Sequence, residues 1–173
     1  ELGPDTPSFT AALKAALRED PDAVLVGELR DIETMRMALH AAETGLPVFG
    51  TLHTNSAAKA VDRLIDGFPP DEQEQVRIVL SEVLKAVVAQ LLLRKKGGGR
   101  VPAFEVLRGS AALANAIREG KTAAITSLIQ TGRSHGMVGM DQYLAELVFQ
   151  DLVDADEAHE KAVDKDYFKS LVE

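Results

Sequence analysis

A short apolar run, Ala23-Val24-Leu25-Val26, ends in Gly27-Glu28 and is followed at once by Arg30, Asp31 and Glu33. The run is continuously apolar rather than alternating, which is the composition of a strand buried on both faces. A second run, Val48-Phe49-Gly50-Thr51-Leu52, ends in the polar cluster His53-Thr54-Asn55-Ser56. Between the two, residues 33–44 place Met35, Ala38, Leu39 and Ala42 on one helical face, and Gly45 and Pro47 stop that helix. A further helix over 57–66 turns Val61, Leu64 and Ile65 inward. Strand, helix, strand, helix is the pattern of a parallel sheet, and so of an α/β fold. In open α/β sheets ligands bind just beyond the carboxyl ends of the strands. Both polar clusters fall there.

The flanking segments are read in the same way. Ser8 caps a helix through Phe9, Leu13 and Leu17 that stops before Pro21. Pro69-Pro70 breaks the chain. After it, Val76, Val79, Leu80, Val83, Leu84, Val87, Val88, Leu91 and Leu92 recur at helical spacing, which predicts one long helix over 71–93. The segment Arg94-Lys95-Lys96-Gly97-Gly98-Gly99-Arg100 predicts a hairpin turn between strands at about 91–95 and 101–106. Helices are predicted over about 110–119, 121–131, 140–150 and 154–162, with a short last one. The change from α/β alternation to helices alone predicts a boundary near 108.

Composition narrows the function classes. The 173 residues are 46% hydrophobic, enough for a sizeable core, and the net charge is −8. That balance argues against nucleic acid as the main partner, since phosphate backbones need clustered cations. The acidity gathers at the end, where Asp151, Asp154, Asp156, Glu157, Glu160, Asp164, Asp166 and Glu173 face only Lys161, Lys165 and Lys169. A solvated helical face is the simpler reading of that stretch, and a docking surface the alternative. The absence of cysteine excludes disulfides and thiolate metal sites. No apolar run approaches the ~20 residues of a membrane-spanning helix. The opening residues Glu1-Leu2-Gly3-Pro4-Asp5 resemble neither a signal peptide nor a natural start, so the chain reads as part of something longer.

Two clusters carry chemistry. Glu28 sits where a carboxylate could order a Mg²⁺-bound water or polarise an attacking one; a merely solvated loop is the alternative. Thr51, His53 and Thr54 could contact a terminal phosphate; a helix cap by Thr54 or Ser56 with an incidental histidine is the alternative. On adjacent parallel strands the two clusters would converge, which favours the functional reading of both. A metal hydrolase using Asp20, Asp22, Glu28, Asp31, Glu33 and His53 lacks any H-E-x-x-H spacing, and a serine hydrolase lacks a G-x-S-x-G elbow. There is also no G-x-x-x-x-G-K-[ST] phosphate loop, and the triple glycine follows a helix rather than joining strand to helix.

The stretch Ala16-Leu17-Arg18-Glu19-Asp20-Pro21-Asp22, followed by Val26-Gly27-Glu28-Leu29-Arg30-Asp31-Ile32-Glu33-Thr34, resembles the Walker B region of the type II/IV secretion ATPases. Thr44-Gly45-Leu46-Pro47-Val48-Phe49-Gly50-Thr51-Leu52-His53-Thr54-Asn55-Ser56-Ala57 resembles their His box. Both motifs are long and specific, and the likeness continues through residues 62–66 and 97–106. Ala112-Leu113-Ala114-Asn115-Ala116-Ile117-Arg118-Glu119 resembles the AIRNLIRE segment of the PilT-like type IV pilus retraction ATPases, with Ala114 where that motif has arginine. The extension ATPases carry a cysteine-based zinc loop that this chain lacks.

The resemblance implies a partial RecA-like P-loop NTPase core over 1–108 and a C-terminal helical subdomain over 109–173. It implies a cytoplasmic hexameric motor, peripheral to the inner membrane, that hydrolyses ATP with Mg²⁺ to retract pili through an inner-membrane platform protein. Glu28 would be the Walker B carboxylate, catalytic and serving Mg²⁺ through water. His53, with Thr51 and Thr54 beside it, would contact the γ-phosphate region. Arg30 would be structural or would reach across a subunit face. The family's PAS-like domain, Walker A loop and Asp box precede the matched region, so the chain alone is expected to bind ATP poorly. An assembly, secretion or conjugation ATPase of the same superfamily, or a non-catalytic paralogue, are the alternatives.

Overall fold

A computed structural model describes Gly3 and residues 6–173. Glu1, Leu2, Pro4 and Asp5, which carry most of the reading of the chain's start, lie outside the described residues. The contacts divide the chain into two compact units, residues 1–53 with 62–83 and residues 54–61 with 84–173. The contacts part near residue 83, where the hairpin begins to pack with the C-terminal helices.

In the first unit, α1 (Phe9–Ala16) starts at Ser8, whose hydroxyl accepts the Ala11 N–H at 3.0 Å. Strand β1 (Val24–Val26) leads to α2 (Ile32–Glu43) and β2 (Val48–Gly50). The two strands pair in parallel, with Val24 opposite Val48, Leu25 opposite Phe49 and Val26 opposite Gly50. Asp31 caps α2 by accepting the Thr34 N–H at 2.8 Å and its hydroxyl at 2.9 Å. Helix α2 buries Thr34, Met35, Ala38 and Ala41. It packs on α1, on β2 and on α4 (Gln73–Val83). Arg36 adds a 2.5 Å pair with Glu72 and lies over the Phe68 ring. Helix α3 (Ala57–Asp66), divided between the two units at Val61 and Asp62, has the bounds its sequence predicts, with Val61, Leu64 and Ile65 buried.

Two sequence expectations are corrected. Strand β1 is not buried on both faces: Leu25 is 73% exposed and its register partner Phe49 61% exposed. Among the described residues the sheet consists of these two strands. The predicted helix over 71–93 is instead α4 followed by β3 (Ala86–Arg94), which pairs antiparallel along its whole length with β4 (Arg100–Arg108). An uninterrupted apolar run fits helical and strand periods alike. Pairing with β4 decides here, and the Val87-Val88 pair suits a pleated surface. Both strands therefore run further from the turn than the turn residues suggested. Gly97, Gly98 and Gly99 at its tip all have positive φ, at 80°, 106° and 78°, a conformation side chains other than glycine's rarely tolerate.

In the second unit the inner face of the hairpin meets a helical layer. Helices α5 (Ala111–Arg118) and α6 (Ala124–Thr131) pack on each other, and a 3-10 turn follows at Arg133–His135. Helix α7 (Met140–Phe149) lies on β4, with α8 (Ala155–Lys161) and α9 (Lys165–Val172) against it. Leu93, Ala103, Met140, Leu144, Leu147, Val153, Ala158 and Phe168 share one buried cluster. The buried Asp141 accepts the N–H groups of Val163 at 2.7 Å and Asp164 at 2.9 Å, which fixes the turn between α8 and α9. The acidic end is only partly a solvated face. Lys96 Nζ contacts Asp151 at 2.6 Å and Asp154 at 3.2 Å, and the Arg94 N–H donates to Glu157 at 3.2 Å.

Candidate active site

Strands β1 and β2 end side by side, and their last residues are stitched together. The Leu29 N–H donates to the Thr51 carbonyl at 3.0 Å. The Thr51 hydroxyl donates to the Gly27 carbonyl. The Leu29 side chain lies over Gly50, where a Cβ would sit 2.7 Å from its Cδ1. These contacts hold the two polar clusters at one edge of the sheet.

Glu28 and His53 meet at that edge. His53 Nε2 lies 3.1 Å from Glu28 Oε1, and Arg30 Nε donates to the same oxygen at 3.1 Å. Oε2 has no hydrogen-bond partner among the described residues. The Glu28 side chain is 29% exposed, while those of His53 and Arg30 are 80% and 77% exposed. The carboxylate is thus half-sheltered and oriented by two groups, with one oxygen left for a water or an incoming ligand. Such an arrangement suits a group that positions or polarises a water.

The other charged residues of the loop have different work. Asp31 is the α2 cap, and its carboxyl is held below the usual range by the Thr34 N–H and hydroxyl. Thr51 spends its hydroxyl on the Gly27 carbonyl. Thr54 belongs to the second unit and is not among the groups bonded around Glu28. No group of three or more histidine or acidic side chains among the described residues could hold a metal ion. That disfavours the metal-hydrolase reading. A single carboxylate acting through water is compatible with Mg²⁺, which keeps several waters and takes the rest of its shell from substrate phosphates.

The sequence profile of the type II/IV secretion system protein family matches residues 5–99. The chain belongs to that family. Among its relatives in the family is the type IV pilus retraction ATPase PilT of Pseudomonas aeruginosa, 54% identical over 162 residues, which are 94% of this chain and 47% of PilT. A twitching motility protein of Neisseria gonorrhoeae is 53% identical over 163 residues, 94% of this chain and 44% of that protein. The crystal structure of the pilus retraction motor PilT with bound ADP superposes with a TM-score of 0.89 at 49% identity, covering 98% of this chain and 48% of that one. The chain spans about half the length of these relatives. The mixed α/β fold expected from the sequence is thus the fold of the secretion ATPases.

Of the residues singled out from the sequence, Glu28, His53 and Arg30 are brought into contact, and Thr51 bonds across the strand ends. Glu105 was not singled out. This acid lies in register with Ala103 and Leu107 on the buried side of β4, and it is only 7% exposed. The readable signal was an acidic residue at a core-facing position of an otherwise apolar strand.

Proposed function

We propose that this chain is the C-terminal part of a hexameric motor ATPase that hydrolyses ATP to retract type IV pili. One observation carries the reading: Glu28 and His53 pair at 3.1 Å across the ends of adjacent parallel strands. Glu28 activates and orients the attacking water, using the oxygen that its neighbours leave open. His53 and Arg30 fix the carboxylate by holding its other oxygen. His53, largely exposed, also reaches the terminal phosphate. Thr51 locks the two strand ends, and Thr54 is carried over from the family likeness as a further nucleotide contact. When bound, Mg²⁺ would neutralise phosphate charge and be met by Glu28 through water.

The likeness to PilT along nearly the whole chain supports retraction over the other motors of the family. The cytoplasmic setting at the inner membrane and the platform-protein partner come with the same likeness. Among the described residues no helix is long and apolar enough to cross a membrane. We also assign residues 1–108 to the ATPase core and 109–173 to its helical extension by that descent.

The intact protein carrying Glu28→Gln should bind ATP as before and lose turnover by at least about 100-fold. Turnover within twofold of the unsubstituted protein rejects the role. The 173-residue chain alone should bind Mg-ATP weakly, because no phosphate cradle lies within it. Calorimetry giving a micromolar Kd would refute that.

A further inference from the structure

We propose that Glu105 is a positioning residue for this reaction, tying the segment that follows His53 to the C-terminal helices. The proposal rests on the nucleotide-site reading above. Glu105 Oε1 accepts the Ala57 N–H, the first of α3, at 2.7 Å. Oε2 accepts the Met140 N–H, the first of α7, at 3.3 Å. First-turn N–H groups have no partner inside their own helix, and both helices present their positive dipole ends to the carboxylate. One buried side chain therefore serves two helices that lie 83 residues apart in sequence, from Ala57 to Met140.

Each helix start has a second side-chain bond beside the one to Glu105. The Ser56 hydroxyl accepts the Lys59 N–H at 3.3 Å at the start of α3. Gln142 accepts the Gly139 N–H at 3.2 Å at the start of α7. The approach of α7 is also set independently, by paired backbone bonds of 2.8 and 3.1 Å between Val106 and Val138. What Glu105 adds is the link between the two starts. Only Thr54, Asn55 and Ser56 separate His53 from the tethered Ala57, so a shift of that anchor is carried along a short tether to the histidine. A rearrangement of the C-terminal helices would reach the nucleotide site by the same route, and the reverse.

The test uses the intact protein with Glu105→Gln. Glutamine keeps the shape but brings only one acceptor oxygen, so one N–H faces an amide NH₂. The expected result is a fall in kcat of about tenfold with KM for ATP within twofold, and unchanged circular dichroism. Hydrogen exchange without nucleotide should quicken in peptides covering residues 54–61 and 138–143. A folded variant with kcat within twofold of the unsubstituted protein, or one that raises KM alone, overturns the proposal. If Glu105→Gln does not fold, exchange in the unsubstituted protein decides. The two segments should gain or lose protection together when a non-hydrolysable Mg-ATP analogue is added, and independent responses overturn it. If the unsubstituted protein hydrolyses no ATP, the nucleotide-site reading fails and Glu105's catalytic bearing falls with it. Quickened exchange in both segments would still establish the tether itself.

Discussion

The two compact units bury their apolar residues differently. The hairpin unit encloses its core: Leu93, Ala103, Leu144, Val153 and Phe168 are all essentially inaccessible. The parallel-strand unit holds the paired Glu28 and His53 but leaves Leu25 and Phe49 side by side and exposed. Parallel strands are normally covered on both faces, and two strands are few for a stable sheet. One unit encloses a cluster of large apolar side chains, while the other leaves two such side chains exposed on neighbouring strands.

The largest effect should come from the enclosed core. Leu144→Ala removes a fully buried side chain and should cost about 2–5 kcal/mol in urea unfolding of this chain. A loss as small as that of an exposed site would erase the contrast.

An intermediate effect separates the units by the sign of their pH response. Burial pushes the Asp141 carboxyl above its ordinary 3.8, against the N–H groups of Asp164 and Val163 that pull it down; the nearby Asp164 charge adds to the rise. Asp141's contribution is full below 3.8 and is lost as pH rises through the raised value. Asp31 is the reverse. The Thr34 N–H lowers it most, so its contribution is full above 3.8 and is lost as pH falls through the lowered value. Asp141→Asn should cost about 1–3 kcal/mol at acid pH, with the penalty shrinking as pH rises. Asp31→Ala should cost about 1 kcal/mol near neutrality, with the penalty shrinking as pH falls. Chemical unfolding of both variants across the carboxylate range checks this, and slopes of the same sign would contradict it.

The smallest effect belongs to the open face. Phe49→Ser should change unfolding free energy by no more than about 0.5 kcal/mol. Light scattering should then show less self-association. A cost of several kcal/mol would mean that Phe49 is not exposed in solution.

Much of this was legible in the chain. Alternation of short apolar runs with amphipathic stretches located β1, α2, β2 and α3, and parallel neighbours must bring their carboxyl ends together, which predicted the meeting of Glu28 and His53. Only the end of β3, next to the glycine turn, was legible, because Val87, Val88, Leu91 and Leu92 satisfy a helical repeat as well as a pleat. Only β4, beyond the triple glycine, resolves the ambiguity. The exposure of Leu25 was hidden for a related reason: composition reports what a strand is suited to meet, not what stands beside it. The convergence of Arg30 on the same oxygen as His53 depends on side-chain rotamers, which no spacing encodes.

The fold of the acidic end back onto the hairpin has a bearing on the protein's electric field. A formal charge of −8 treats every ion as facing water. Near the glycine tip, Asp151 and Asp154 are instead counterions to Lys96, and Glu157 to Arg94. Paired charges so close together cancel within a Debye length, roughly 8 Å at physiological salt. An approaching molecule therefore meets a much weaker field there than the composition suggests. Electrophoretic mobility and local attraction become separate properties of this surface.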